Sequence, residues 1–392
     1  MMPRIRPWAN YTALLHAIGA GRAEDRSRFE QEFATNVGVG HAVATNMGRG
    51  ALQAALLAVN VTAHSEVIVP ALVCNAVVDA VLSVGATPVP ADIDVSDFNL
   101  SVDSVKTAMS DETRALIAVH AYGFPCDIAE LKEVCTKRGI SLIEDCAQSA
   151  GARVENRPVG TFGDIGIFSF AFDKILSLAS GGLALSDDSE LARRLRESVL
   201  GWPASNGRET AHLLRFLRLH ASFSPKIYGF SRHLRTEIES LEWPDDEVLA
   251  PLGPLRSALG CYLLKRSVEI FGIHRKNAHV LSELLTVPGV EVPTERNGAE
   301  AVPLRLTIRV PAALRDPLSA HLVHHGFEVV PAAYERPVHY VPEFRGLLRL
   351  RVDLPSAEVA SQTLLNFPTH PYISESGLEE LGNLVRRFVA AA

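Results

Sequence analysis

Short runs of apolar residues alternate with amphipathic stretches along the first two-thirds of the chain. Four of these runs have the length and composition of strands buried on both faces, and they are residues 66–70, 87–94, 115–120 and 140–145. Amphipathic patterns predict helices between them, over residues 75–84 and 127–138. Buried strands separated by helices are typical of a mostly parallel sheet covered by helices on both faces. The pattern therefore predicts an α/β fold.

The pattern changes after about Leu185. The predicted elements of this part are a charged helix at 189–199, a long helix at 257–285, strands at 304–310 and 328–331, and a final helix at 378–390. The C-terminal third is therefore predicted to form a smaller α+β domain. We expect the large domain to comprise residues 1–250 and the small domain residues 251–392.

A basic and aromatic segment without clear strand signals links these two parts. It covers residues 202–254 and includes Lys226, Arg232 and Arg235. We prefer the interpretation that it is a solvated helical pair packed by its aromatic residues. The other interpretation, a binding patch, favours a phosphorylated or nucleotide-linked substrate.

Size and composition narrow the class of protein. A chain of 392 residues favours two domains, and a hydrophobic content of 47% indicates a large core. No apolar run is long enough to cross a bilayer. The five cysteines show no CxxC spacing, which argues against a disulfide framework and a zinc site. The absence of a secretory signal predicts a cytoplasmic protein. A net charge of -7 gives no reason to expect a nucleic-acid partner.

Lys174 carries the strongest chemical signal. It lies in an apolar stretch upstream of two adjacent glycines, and burial of a lysine makes its amine a better nucleophile toward aldehydes. Asp145 ends the preceding apolar strand, where its carboxylate can hold a protonated pyridine nitrogen. A Schiff-base lysine and an aspartate on the pyridinium are the pair that pyridoxal phosphate (PLP) requires. Taken singly, they are better explained as a surface lysine and a helix-capping aspartate.

A glycine-rich turn precedes a helix near the start of the predicted sheet. Gly48 and Gly50 flank Arg49 there, and backbone N–H groups at a helix N-terminus suit a phosphate dianion. Arg49 is either a second clamp on that phosphate or an exposed arginine of the first turn. His120 and Asp145 both end predicted parallel strands, so we expect them to face one crevice.

These motifs resemble the DegT/DnrJ/EryC1/StrS family of PLP-dependent aminotransferases, also called sugar aminotransferases. The strongest match is Glu144-Asp145-Cys146-Ala147-Gln148 with the residues that follow it up to Ala152. The other matching segments are residues 29–33, 44–52, 66–70, 84–89, 92–94, 99–100, 120–123, 160–164, 168–170, 181–182 and 366–372. The resemblance implies fold type I of the PLP-dependent transferases, with a seven-stranded, mostly parallel sheet in the large domain. It also implies a homodimer with active sites at the subunit interface.

The resemblance assigns roles residue by residue. Lys174 matches the Schiff-base lysine, and Asp145 matches the carboxylate on the pyridine nitrogen. Gln148 matches the residue that hydrogen-bonds the phenolic oxygen of PLP. The phosphate ligands are matched by Ser169 and by the backbone of Gly48 and Arg49.

This chain also departs from the family pattern. Cys74 or Leu72 takes the place of the aromatic residue that often covers the cofactor ring. Ser180 stands before the glycine pair, where an acidic residue or glycine is usual. The asparagine that often reaches the phosphate from the second subunit has no match. These departures leave the cofactor expectation intact and the substrate open.

The resemblance implies a two-stage transamination in which PLP and pyridoxamine phosphate interconvert. The donor is expected to be an amino acid, glutamate in most of the family, and the acceptor a keto or aldehyde sugar, commonly nucleotide-linked, or a cyclitol. Lys174 argues against the related dehydratases, in which histidine replaces the lysine. Decarboxylation, elimination or carbon–carbon bond formation at the same cofactor, and a non-catalytic role on this fold, remain alternatives.

Overall fold

A computed structural model describes residues 1–8, 11–22, 24–203, 209–225, 228–229, 249–331 and 336–391. The predicted residues Lys226, Arg232 and Arg235 of the basic segment lie outside the described residues. No helix in the described part of the chain is long and apolar enough to cross a membrane.

A seven-stranded sheet forms the centre of the molecule. The first nine strands are β1 (His41–Thr45), β2 (Glu66–Pro70), β3 (Thr87–Ala91), β4 (Thr113–Val119), β5 (Ser141–Asp145), β6 (Arg153–Val154), β7 (Arg157–Pro158), β8 (Ile165–Ser169) and β9 (Gly182–Ser186). The strand order of the large sheet is β1-β9-β8-β5-β4-β2-β3. Strands β3, β2, β4, β5 and β8 pair in parallel, and β9 runs antiparallel to both β8 and β1. The predicted mostly parallel sheet is confirmed.

Helices cover this sheet. They are α1 (Tyr11–Ala20), α2 (Asp25–Val37), α3 (Gly48–Ala58), α4 (Asn75–Ser83), α5 (Val102–Ala108), α6 (Ile128–Arg138) and α7 (Ser189–Leu200). Local sequence explains their ends: the Asp188 carboxylate accepts hydrogen bonds from the N–H groups of Glu190 and Leu191 at the start of α7, and Gly139 ends α6 with a φ of 64°. Interior strand residues such as Ile68 and Leu116 are fully buried, as covering on both faces requires.

The C-terminal part contains a second, three-stranded antiparallel sheet. Its strands β11 (Arg305–Arg309), β12 (Val330–Pro331) and β13 (Leu364–Pro368) pair in the order β11-β13-β12, and β10 (Ala299–Glu300) pairs with β6. The remaining α-helices within the described residues are α8 (Glu209–Ser222), α9 (Pro254–Leu264), α10 (Ser267–Leu285), α11 (Ala312–His324), α12 (Pro355–Thr363) and α13 (Glu375–Ala391). The long helix predicted at 257–285 is therefore wrong in one respect. It is two helices that break at Lys265 and Arg266, and α9 begins earlier, at Pro254.

The N-terminal segment crosses the molecule as an extended chain. Met2 forms a parallel bridge with Phe327, and the N–H of Arg4 donates a 2.9 Å hydrogen bond to the carboxylate of Glu328. The ring Nε2 of His370 donates a 2.9 Å bond to the carbonyl oxygen of Pro3. These contacts carry Arg4 and Ile5 to the carboxyl ends of the parallel strands.

Candidate active site

A cavity of about 760 Å³ opens where strands β4, β5 and β8 end, which is where open α/β sheets bind ligands. All seven residues predicted to serve the site line it, and they are Gly48, Arg49, Cys74, Asp145, Gln148, Ser169 and Lys174. The predicted residues therefore lie around one space, although they are spread over more than 120 positions of the chain.

Lys174 lies on the loop between β8 and β9. The loop is folded back on itself, because the N–H of Phe170 donates to the carbonyl of Gly181 at 2.9 Å and the N–H of Leu178 donates to the carbonyl of Phe170 at 2.9 Å. The Lys174 side chain is 16% exposed, and its Nζ lies 3.6 Å from a carboxylate oxygen of Asp173. The amine is thus held inside the cavity next to a counter-ion.

Asp145 is buried at the end of β5. One of its carboxylate oxygens accepts a 2.9 Å hydrogen bond from the N–H of Ala147. Burial raises the pKa of Asp145, while that hydrogen bond and the nearby Lys174 oppose the rise. A poorly solvated carboxylate gains strongly from a cationic N–H partner, which is what a protonated pyridine nitrogen offers.

Gln148 is fixed by the backbone. Its carbonyl oxygen accepts a 3.0 Å hydrogen bond from the N–H of Tyr122, which fixes the orientation of the side-chain amide. Tyr122 adopts the left-handed conformation, with a φ of 55°, and its ring packs edge-on against Phe98 with centroids 5.8 Å apart. The strained backbone of Tyr122 in the turn after β4 therefore orients the N–H group that binds Gln148.

The start of α3 and the end of β8 form a narrow cradle. A Cβ built on Gly48 would lie 2.9 Å from Oγ of Ser169, so only glycine lets the helix N-terminus approach that hydroxyl. Met47 caps α3 in an extended conformation without a side-chain hydrogen bond. First-turn N–H groups of a helix attract an anion. Arg49 lines the same end of the cavity and lies 3.7 Å from Asp79.

The residues that depart from the family pattern take different places. Cys74 is an exposed residue that precedes α4 and lines the cavity, whereas Leu72 is buried in the core and does not line it. Ser180 is buried, and its hydroxyl accepts a 2.6 Å hydrogen bond from Arg256. The fully buried Arg256 also donates to Asn46 and to Glu209. One guanidinium thus connects the glycine-rich turn before α3, the residue before the glycine pair and α8.

The side chain of His120 does not face the crevice, contrary to the prediction. It is fully buried, its Nε2 donates to Glu144 at 3.1 Å, and its Nδ1 accepts from the N–H of Cys126 at 3.1 Å. The Glu144 carboxylate also accepts from the N–H groups of Gly160, Phe162 and Gly163. Val119, not His120, stands beside Asp145 in the register of β4 and β5. Because successive side chains of a strand alternate between the two faces of a sheet, His120 and Asp145 point to opposite faces.

Glu144, His120 and Cys146 place ligand atoms within 4.8 Å of one another. Each Glu144 oxygen already accepts two hydrogen bonds, and both ring nitrogens of His120 are engaged. Burial raises the pKa of the Cys146 thiol to about 12, so it stays protonated. This group is therefore a hydrogen-bonded support beneath Asp145, and its donors do not suit a metal ion.

Sequence reasoning missed several charged residues of the cavity. They are Asp173, which is adjacent to Lys174, and Arg4, Arg215 and Arg305 from three distant parts of the chain. The Arg305 Nη2 donates a 3.1 Å hydrogen bond to Asp173. Only Asp173 had a local signal, its position beside the lysine. Arg4 and Arg305 have none, because each reaches the cavity through long-range packing. Arg215 lies in the basic segment 202–254, for which a binding patch was the second interpretation.

Comparison with known proteins agrees with this geometry. The model of the DegT/DnrJ/EryC1/StrS aminotransferase family matches residues 15–234. The GDP-perosamine synthase of Vibrio cholerae is 30% identical over 374 residues, which cover 94% of this chain and 92% of that protein. The dTDP-3-amino-3,4,6-trideoxy-alpha-D-glucose transaminase of Streptomyces venezuelae is 31% identical over 366 residues, covering 92% and 87%. The structure of S. venezuelae DesV in complex with ketimine intermediate has a TM-score of 0.78 at 28% identity, covering 96% of this chain and 93% of that one.

Proposed function

Since the chain belongs to the DegT/DnrJ/EryC1/StrS aminotransferase family, we propose that it transfers an amino group from an amino acid, L-glutamate, to a nucleotide-linked keto sugar. The family's cofactor is PLP. The observation that carries the proposal is the convergence of Lys174, Asp145 and Gln148 on the cavity that also holds the Gly48–Ser169 cradle. The two relatives named above, a GDP-perosamine synthase and a dTDP-amino-sugar transaminase, support this class of acceptor.

The residues present fit PLP at each of its functional groups. The cradle of Gly48 and Ser169 would hold the phosphate, with Arg49 adding positive charge. Asp145 would hold the pyridine nitrogen, and Gln148 would reach the phenolic oxygen. Lys174 would bind the cofactor covalently. When bound, PLP supplies an electron sink and a carbonyl carbon that exchanges amines.

The chain's own residues then account for proton movement. The Lys174 amine lies inside the cavity, where, when it is free, it would take a proton from one substrate carbon and return it to another. Asp173 would hold the Lys174 side chain in the cavity whenever that side chain carries a proton, because its carboxylate lies 3.6 Å from Nζ. Asp145 would place a buried carboxylate against the ring nitrogen and so favour the protonated form of that nitrogen. Glu144 and His120 are fully buried behind Asp145, so that side of the carboxylate would be closed to water.

Two finer expectations belong to the same proposal. We propose a homodimer, which is supported by large apolar side chains left exposed on the described surface, among them Leu15 and Ile18 of α1 at 69% and 58% and Val268 at 82%. We also propose a cytoplasmic location, which is supported by five cysteines that are all free. The division into domains 1–250 and 251–392 stays a prediction.

A spectroscopic experiment tests the proposal. The purified protein should absorb as a PLP enzyme, and borohydride should fix the cofactor on Lys174. L-Glutamate should convert it to the pyridoxamine form with release of 2-oxoglutarate, and a panel of nucleotide-linked keto sugars should then restore the original absorbance. Lys174→Ala should show neither labelling nor conversion, whereas Lys132→Ala, which removes a surface lysine paired with Asp164, should behave as the parent. Unimpaired transamination by Lys174→Ala would refute the proposal.

A further inference from the structure

One carboxylate oxygen in the cavity bridges an amine and a guanidinium. Oδ2 of Asp173 lies 3.6 Å from Nζ of Lys174 and accepts a 3.1 Å hydrogen bond from Nη2 of Arg305. Asp173 and Lys174 are neighbours on the loop after β8, while Arg305 begins β11 of the second sheet. The Arg305 side chain is 9% exposed and that of Asp173 is 38% exposed, so the carboxylate meets the open space of the cavity while the arginine forms its wall.

This arrangement has the geometry of a bound amino acid. In an α-amino acid the carboxylate oxygens lie about 3 Å from the amino nitrogen, as covalent geometry dictates. An amino donor must bring its nitrogen to the place that the Lys174 amine occupies. Its carboxylate then falls close to the present position of the Asp173 carboxylate, within reach of Arg305.

The charge balance of the cavity favours an incoming anion. Among the residues that the structure describes, the lining carries five cationic side chains and two anionic ones. The cationic ones are Arg4, Arg49, Lys174, Arg215 and Arg305, and the anionic ones are Asp145 and Asp173. Burial alone raises the pKa of Asp173, but the positive charges of Lys174 and Arg305 lower it by more. The net shift of the pKa is downward, so the carboxylate is ionised. Arg305 therefore already binds a carboxylate, and a substrate carboxylate is the ligand best matched to replace it.

We propose that Arg305 binds the carboxylate of the amino-acid donor and that Asp173 is an internal surrogate, occupying Arg305 until the donor displaces it. This rests on the proposed aminotransferase function and names the residue that selects its donor. The acceptor is the weaker match, since the phosphates of a nucleotide-linked sugar lie several bonds away from the carbonyl carbon that must reach the same place.

Two substitutions should change carboxylate binding in opposite directions. Glutarate, which has the carboxylates of glutamate without the amine, is titrated calorimetrically into the cofactor-loaded protein. Arg305→Met should weaken glutarate binding about 10²-fold, because a charge-assisted hydrogen bond is lost. Asp173→Asn should tighten it about 10-fold, because a competing negative charge is removed. Arg309→Met, on the same strand but paired with Glu291 outside the cavity, should have no effect.

Separate measurements of the donor and acceptor half-reactions show which substrate Arg305 binds. Arg305→Met should raise the L-glutamate concentration needed for half-maximal conversion by a similar factor and leave the acceptor half-reaction within about 2-fold. Arg305→Lys, which keeps the charge but not the planar fork, should fall between Arg305→Met and the parent and serves if the methionine variant does not fold.

Three results separate the possibilities. If Arg305→Met and Asp173→Asn both weaken glutarate binding, the pair is structural and the inference is overturned. If Arg305→Met impairs only the acceptor half-reaction, it is also overturned. If the protein transaminates nothing but the two variants still shift glutarate binding in opposite directions, the carboxylate site stands and the proposed function fails.

Discussion

The buried guanidinium of Arg256 offers a test of how the cofactor end of the site is held. Arg256 is fully buried, and it donates hydrogen bonds to Glu209 at 2.9 Å, to the Ser180 hydroxyl at 2.6 Å and to the side-chain oxygen of Asn46. Asn46 stands two residues before Gly48, and Ser180 precedes the glycine pair. Arg256→Met keeps the volume and removes every donor.

The expected loss of stability in Arg256→Met follows from the carboxylate that the substitution leaves without its cation. The Glu209 side chain is only 13% exposed, so the substitution strands a carboxylate that water reaches poorly. Removing one partner of a buried ion pair costs about 3–5 kcal/mol, and most of that is the desolvation of the remaining charge. We therefore expect Arg256→Met to lower the free energy of unfolding by that amount and to raise the PLP dissociation constant about 10-fold.

The double variant Arg256→Met/Glu209→Gln separates the two effects. Neutralising the stranded carboxylate should recover at least about 2 kcal/mol of the loss, because a buried pair replaced as a whole is often nearly neutral. PLP affinity should stay low, since Asn46 and Ser180 still lack their donor. Unfolding is followed by circular dichroism in denaturant and PLP binding by absorbance. A double variant whose loss equals the sum of two single losses would refute this account of the network.

Three further predictions concern two residues of the cofactor side and three buried histidines. Asp145→Asn should lower the rate of amine transfer about 10²- to 10³-fold, because the ring nitrogen loses its anionic partner. Asp103→Asn, which changes a carboxylate that is 96% exposed on α5, should leave the rate unchanged, and single-turnover absorbance changes measure both. Gly48→Ala should weaken PLP binding about 10-fold, because its Cβ would meet Oγ of Ser169 at 2.9 Å, whereas Gly272→Ala, with no atom within 4 Å, should leave PLP binding unchanged in the same titration. Burial lowers the pKa of His220 to about 4, of His274 to about 3 and of His370 to about 4. These folded-state pKa values lie below the unfolded value near 6.5. The stability gained by keeping the three rings neutral is therefore complete above about pH 6.5 and is lost as the pH falls toward 4. Thermal melting measured between pH 7 and pH 4.5 checks this prediction. A melting temperature that stays constant as the pH is lowered from 6.5 to 4.5 would contradict it.

The large sheet was predictable where its strands are apolar and parallel. The run at 66–70 has the bounds of β2, and the run at 140–145 has those of β5 to within one residue. Strands β1, β8 and β9 gave weaker signals. Alanine, glycine and serine are frequent in them, and these residues have little intrinsic preference for strands. The break at Lys265 was missed because the apolar periodicity continues from α9 into α10 with no glycine or proline between them.

The prediction of His120 shows a limit of reasoning from strand ends. Both His120 and Asp145 follow parallel strands, and the backbone N–H of His120 donates to the carbonyl of Asp145 at 3.1 Å. Their backbones are therefore neighbours, as expected. The direction of each side chain depends on its position in the pleat of the strand and on the hydrogen-bond partners within reach. The imidazole of His120 finds its partner in the buried carboxylate of Glu144.

The cavity has two sides of different origin, and this explains which half of the function could be read from the sequence. The residues proposed to hold PLP come from one continuous part of the chain, between Gly48 and Lys174, on loops that follow successive strands of one sheet. Sequence order and strand order suffice to bring such residues together. The opposite wall is built by Arg4, Arg215 and Arg305, which reach it from the N-terminal segment, from α8 and from β11. Their meeting depends on contacts such as that of Met2 with Phe327, more than 300 positions apart, which leave no periodic trace. A wall assembled this way can change one residue at a time without disturbing the cradle or the lysine loop. Cofactor chemistry can thus stay constant while the substrate side varies, and the Asp173–Arg305 pair is the point where the two sides touch.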